Sequence, residues 1–172
     1  MTTEEYQAAW DAIPAMKWGR KERFDWQIKL LKEWADKDLE GALKAAFAES
    51  WASNRVVLVQ GEAFRYHGAF VESIKNRPQD VLKLIQEKKL GVLESSLLLQ
   101  AWSVTLFQYD KELYFSHIRE LSGGDFPLAL NVSFLQAVDF NTLIQVLDLA
   151  EEKARQGVSM EGLQTWMMSR AA

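Results

Sequence analysis

Four cations crowd one tryptophan near the start of the chain: Lys17, Arg20, Lys21 and Arg23 surround Trp18. Guanidinium and ammonium groups beside an indole can hold a phosphate or a carboxylate-bearing partner, through charge-assisted hydrogen bonds and cation–π contact. The plainer reading is a solvated helix start with a tryptophan packed on a neighbouring hairpin. Helix-dipole stabilisation does not account for the cluster, because cations are badly placed at a helix N-terminus. Trp18, Arg20, Lys21 and Arg23 are therefore the candidate partner-binding residues.

No assembled catalytic signature accompanies them. The histidines, His67 and His117, belong to neither His-Glu-x-x-His nor Glu-x-x-His, spacings that put ligands for zinc or a di-iron centre on one helical face. Glu62 and His67 are five residues apart, about 140° around a helix, and do not converge on one ion. His117 falls beside an apolar helical face, where a partly buried, hydrogen-bonded imidazole is expected. Cysteine is absent, which removes disulfides and thiolate metal sites. A serine nucleophile would call for a Gly-x-Ser-x-Gly elbow; Ser122-Gly123-Gly124 reads instead as an interhelical turn. No glycine-rich phosphate loop of the Walker type is present. With 24 acidic residues, some carboxylates will lie close by chance, so proximity alone does not suggest glycoside hydrolysis. No catalytic residue, metal or cofactor is expected.

The elements that must carry these residues read as helices. The 172 residues are 48% hydrophobic and 26% charged, ordinary for one globular domain spanning 1–172. Three prolines and nine glycines are too few for a turn-rich β sandwich. Seven tryptophans suit the gaps between packed helices, or a partner surface. The net charge of −4 argues against a dedicated nucleic-acid binder, which needs a basic footprint. The opening Met1-Thr2-Thr3-Glu4-Glu5 lacks the basic and apolar regions of a signal peptide, so a cytoplasmic location is expected. The longest uncharged run, Ser95 to Tyr109, is too short and too polar for a membrane span and reads as a buried helix. Interleaved charges on the outer faces also argue against interfacial membrane binding.

Thr2 and Glu5 have capping-box spacing ahead of a helix to about Ile13, which Pro14 interrupts. A second helix begins near Arg20, and Asp38 caps a third to about Trp51. Arg55 to Asn76 reads as one long helix that tolerates Gly61. Pro78 opens the next, to about Lys89. Then follow Val92 to about Gln108, a helix from Asp110 to Leu121, Pro127 to about Val138, Phe140 to about Arg155, and a last short helix capped by Ser159.

One pattern recurs. Asp38, Arg77, Asp110 and Asp139 each close one helical stretch and open another, and the positions four, five and eight residues later are apolar in every case. Those spacings place the side chains on one helical face. The expectation is an all-α chain of about nine helices, arranged as stacked helical hairpins in an α-solenoid-like fold, with an irregular helical bundle as the alternative. The intervals between the four caps contract along the chain, so the repeat is degenerate.

The segment from Leu30 to Leu43, Leu-Leu-Lys-Glu-Trp-Ala-Asp-Lys-Asp-Leu-Glu-Gly-Ala-Leu, resembles one unit of the HEAT-like α-helical repeats common in planctomycete and verrucomicrobial proteins. Those units read roughly Leu-Leu-x-x-Trp-Ala-x-x-Asp-Pro-x-x-Ala-Leu; Leu39 here stands in the place of the proline. Phe70 to Leu82 is a weaker echo, with Pro78 near the expected place. The resemblance implies an α-solenoid and a role in protein interaction, and it brings no catalytic residues.

The function expected is a protein-interaction module holding a protein or peptide partner, in a narrower form an inhibitor or immunity-type protein. The rivals are a HEAT-like enzyme or ligand-binding protein, such as a DNA-repair glycosylase using a groove of Arg20, Arg23, Arg55 and Arg65, and a structural segment of a longer repeat protein. The oligomeric state is open; the ending with Trp166, Met167 and Met168 could pack inward or meet a second copy.

Overall fold

The computed structural model describes residues 1–52, 64–121, 123–130 and 139–159, and every regular element among them is helical. They are α1 (Thr3–Ala12), a 3-10 turn (Ile13–Ala15), α2 (Arg20–Lys37), α3 (Leu39–Ala52), α4 (His67–Asn76), α5 (Pro78–Gln86), α6 (Val92–Tyr109), α7 (Lys111–Ile118), α8 (Asp125–Ala129) and α9 (Phe140–Arg155). The chain falls into two compact units, Met1–Thr105 and Leu106–Ala172, with the boundary inside α6.

In the first unit the caps form as the sequence suggests. Thr2 and Glu5 exchange their capping-box hydrogen bonds, 2.7 and 3.3 Å long. Pro14 has no N–H for a helical bond, and the chain tightens into the 3-10 turn closed by the Met16 N–H on the Ile13 carbonyl. The Asp38 carboxylate accepts from the Gly41 N–H at 2.9 Å and so caps α3. Gly41 permits this close approach: a β-carbon there would collide with the Asp38 carboxylate and lie 3.3 Å from the Trp34 ring.

α2 packs against α1, α3 and α4. Its buried face is Gln27, Leu31, Trp34 and Ala35. Trp34 stacks on Tyr6 of α1 with centroids 6.1 Å apart. Arg77, between α4 and α5, donates to the Ala35 carbonyl at 2.6 Å, so a distant guanidinium satisfies the last turn of α2. Trp102 of α6 donates to the Pro78 carbonyl at 3.0 Å.

The single helix expected over Arg55 to Asn76 is not what forms. Residues 53–63 lie outside those described, which covers Val56 to Val59 and Gly61. From Phe64 to Tyr66 the chain turns, and α4 starts only at His67. Phe64 and Tyr66 are both buried. Residues two apart on a helix point about 200° from each other, so a turn is the way to bring both rings inward. Phe64 meets Phe47, and Tyr66 meets Trp10 edge-on and stacks on Phe24. The Tyr66 hydroxyl donates to Gln27 Oε1 at 3.1 Å, which explains a glutamine in the buried face of α2.

In the second unit, Asp110 caps α7 and Asp139 caps α9, each through a hydrogen bond of 2.9 Å from the N–H three residues on. α7 ends at Ile118 rather than Leu121. The buried Lys153 of α9 donates to the carbonyls of Arg119 and Leu121, at 2.6 and 2.7 Å, where the chain leaves the helix. The helix expected from Pro127 begins earlier, at Asp125, and gives way to a turn at Leu130; residues 131–138 lie outside those described. So do the segment after Ser159 and the methionines at 167 and 168.

The face at four, five and eight residues past each cap is buried in α3 (Ala42, Leu43, Ala46) and in α5 (Val81, Leu82, Ile85). In α7 Tyr114 and Ile118 are buried and Phe115 is half-buried. In α9 the expectation is met only in part: Leu143 and Leu147 are half-buried and Ile144 is exposed. The buried set is Thr142, Val146, Leu149, Ala150 and Lys153. Ile144 is 41% exposed and Phe140 is 73% exposed. Two polar ties fix that rotation. Thr142 is bound by Asp139 and approached by Lys111, and Lys153 is bound by the end of α7. Thr142 and Lys153 are close to three full turns apart and share a face.

Candidate functional site

In α2, opposite the Tyr66 side, lies a second stripe: Trp26, Lys29, Leu30 and Glu33, at helical spacings of three, four and seven. With Ala9 and Ala12 of α1, Ile13 of the 3-10 turn, and Met16 and Trp18 of the connector, it lines an open groove of about 300 Å³. The interruption at Pro14 makes this possible. The 3-10 turn ends in extended backbone at Met16, so the connector runs back along α2 and lays Trp18 on Trp26. The two indoles stack with centroids 5.6 Å apart and planes 15° from parallel.

The groove is apolar with a charged rim. Trp26 is 46% exposed and Met16 is 42% exposed, high values for side chains of this size. Lys29 Nζ sits 5.0 Å from the Trp26 ring centroid, a cation–π contact that holds its stem across the indole. Glu33 is the carboxylate of the lining.

Of the four residues expected to bind a partner, Trp18 is half-buried in this groove, while Arg20, Lys21 and Arg23 do not line it. Arg20 opens α2 and is exposed, as are Lys17 and Lys21. Arg23 is half-buried, its Nε shielded from water without a hydrogen-bond partner. Among the described residues Lys17, Arg20 and Lys21 make no ion pair, whereas Lys44, Lys75, Lys83, Lys89, Lys111 and Arg155 each pair with a carboxylate. Sequence reasoning missed Trp26, Met16 and Lys29. The signal was there: the Trp26–Leu30 stripe is a second apolar edge on a helix whose other face already accounts for its core.

Two members of the rival arginine groove, Arg20 and Arg23, lie in the first turn of α2. Arg65 lies over the rings of Phe24 and Tyr66, at 5.3 and 5.2 Å, and Arg55 is outside the described residues.

The histidines have structural surroundings. His67 is buried, with Nε2 2.8 Å from Thr105 Oγ1 and a hydrogen bond to the Ala101 backbone; burial depresses its pKa below the ordinary imidazole value. His117 is buried on α7. No group of three or more His, Cys, Asp or Glu side chains that could hold a metal ion occurs among the described residues, and none of their helices is long and apolar enough to cross a membrane.

The second unit has a polar cleft of about 560 Å³ between α7 and α9, lined by residues including Lys111, Arg119, Asp139 and Asp148. Two of its charges, Asp139 and Lys111, serve the fold. The Asp139 carboxyl is held well below the usual carboxylate range, first by the Thr142 backbone N–H, then by the Thr142 hydroxyl and Lys111. No protein-family model, curated protein or solved structure matches the chain.

Proposed function

We propose that this chain is a protein-interaction module, built of short stacked helical hairpins in the α-solenoid manner of the HEAT-like repeats, whose groove between α1 and α2 takes an apolar segment of a partner protein. An inhibitor or immunity-type role is the narrower form of that reading. Two hairpins of the first unit support the stacked arrangement: α2–α3 turns at Asp38 and α4–α5 at Arg77, and the Arg77 guanidinium bonds back to the end of α2.

The observation that carries the reading is the stacked, solvent-facing Trp18–Trp26 pair. Two indoles held parallel in a groove with Met16 present a large, rigid apolar surface whose conformational entropy is already spent. Tryptophan and methionine are enriched at binding interfaces, and such anchors dominate binding energy. A random peptide library displayed on phage, selected against the immobilised protein, tests this. Selected peptides are expected to lose about thirtyfold in affinity on Trp26→Ala, while the variant keeps its helical circular dichroism. Selection of no peptide, or of peptides indifferent to Trp26→Ala, contradicts the reading.

A further inference from the structure

Resting on that reading of the groove, we infer that the segment it takes is acidic: a bulky apolar anchor for the Trp18–Trp26 surface, followed closely by carboxylates that meet Lys17, Lys21 and Lys29. The charge pattern carries this. Between Lys17 and Arg23 there are four cations and one carboxylate, Glu22, in a chain whose net charge is −4. Lys17 and Lys21 are exposed and make no ion pair among the described residues, in contrast to the acid-paired cations on α3, α4 and α9. Unpaired lysines on a surface otherwise rich in acids repel a basic segment and attract an acidic one, and this complementarity raises the association rate and selects the partner.

The position of Lys29 adds a geometric reason. Its stem crosses the Trp26 indole and its ammonium stands 5.0 Å from the ring centroid. A carboxylate arriving over the indole therefore finds a cation already at the edge of the apolar surface, with no side chain to reorganise. Glu33, further along the same stripe, sets the opposite sign at the other end of the α2 rim. The rim of this apolar groove thus changes sign, from Lys17 and Lys29 to Glu33, and the carboxylates of the bound segment lie toward Trp18.

A nucleic acid is the weaker candidate. A run of four cations is short beside the basic footprint that phosphate backbones need, and the groove itself is apolar. An anionic membrane is also weaker, because an interfacial helix carries a Lys/Arg-rich polar face, whereas the exposed residues of α2 interleave Glu22, Asp25 and Asp36 with its lysines.

One peptide chosen from the library selection, synthesised in three forms, decides the matter: its anchor flanked by aspartates, by serines, or by lysines. The protein is titrated with each, following tryptophan fluorescence. The aspartate form is expected to bind roughly tenfold tighter than the lysine form, and the gap to close near 1 M salt, where the Debye length falls to about 3 Å. Lys17→Glu combined with Lys21→Glu is expected to reverse the preference between the aspartate and lysine forms. Equal binding of all three forms overturns the acidic-segment inference and leaves the groove reading intact. No binding of any form overturns both. Equal competition by phosphatidylserine vesicles or single-stranded DNA at matched charge also overturns the inference, since the cations would then attract any polyanion.

Discussion

The groove at Trp18 and Trp26 and the α9 face at Phe140 and Ile144 are both apolar and solvent-exposed, yet they arise differently. The groove is made by a local interruption: Pro14 breaks α1 and the connector lays one indole on another. The α9 face is what remains when polar ties turn a helix. Thr142 and Lys153 commit their side of α9 to hydrogen bonds, and Ile144, expected in the core, is left outside with Phe140. The groove is concave and holds paired rings, and Lys17 beside it makes no ion pair among the described residues. The α9 face is a single helix stripe, and the cleft lined by its neighbours Asn141, Gln145 and Asp148 is polar. Exposed apolar area is therefore a poor guide by itself; the means by which it is held exposed distinguishes a surface built for a ligand from a consequence of packing elsewhere.

Substitutions at equivalent places past the caps should separate the two regions. Leu43, five residues past Asp38, is fully buried, and Leu43→Ala is expected to lower stability by about 2–5 kcal/mol in urea unfolding. Next in size is Lys153→Met. It removes both bonds to the end of α7 and leaves two carbonyls short of a donor, at about 1–3 kcal/mol. If it proves neutral, the ties do not set the rotation of α9. Asp38→Ala, removing the cap of α3, is expected to cost about 1 kcal/mol. Ile144→Ser, at the α9 position matching Leu43, should stay within about 0.5 kcal/mol of wild type. A large loss there would place Ile144 in the core after all and dissolve the contrast.

Acid should act on the first unit through His67. Its folded pKa lies below the ordinary value of 6.5 because burial disfavours the charged ring. Above that value the ring is neutral in both states and stability is unaffected. As the pH falls below it, the unfolded chain takes up the proton first, so stability drops by at most about 1.4 kcal/mol per pH unit for this one group. His67→Gln is expected to flatten that part of the pH profile measured by urea unfolding.

Local chemistry was legible in the sequence, and long-range geometry much less so. Thr2, Asp38, Asp110 and Asp139 are caps because a short acceptor before an apolar helical run has few other uses. The buried faces of α3 and α5 followed from periodicity. The rotation of α9 did not, because it depends on a lysine reaching carbonyls 32 and 34 residues away in sequence. The turn at Phe64–Tyr66 was hidden likewise: its cause is Gln27 and the rings around it, contributed by other helices. At the groove, Trp18 stood out by its basic neighbours, while Trp26 read as one more aromatic of α2 until the stack placed it.

The account turns on the groove being the surface that meets a partner, and the indole N–H signals of the protein report on it directly. With a library-selected peptide added to nitrogen-15-labelled protein, the Trp18 and Trp26 indole resonances are expected to shift. Those of the buried Trp34 and Trp102, and the backbone amides of Phe140 and Ile144, are expected to stay in place. Shifts centred on Phe140 and Ile144, with Trp18 and Trp26 unmoved, would contradict it.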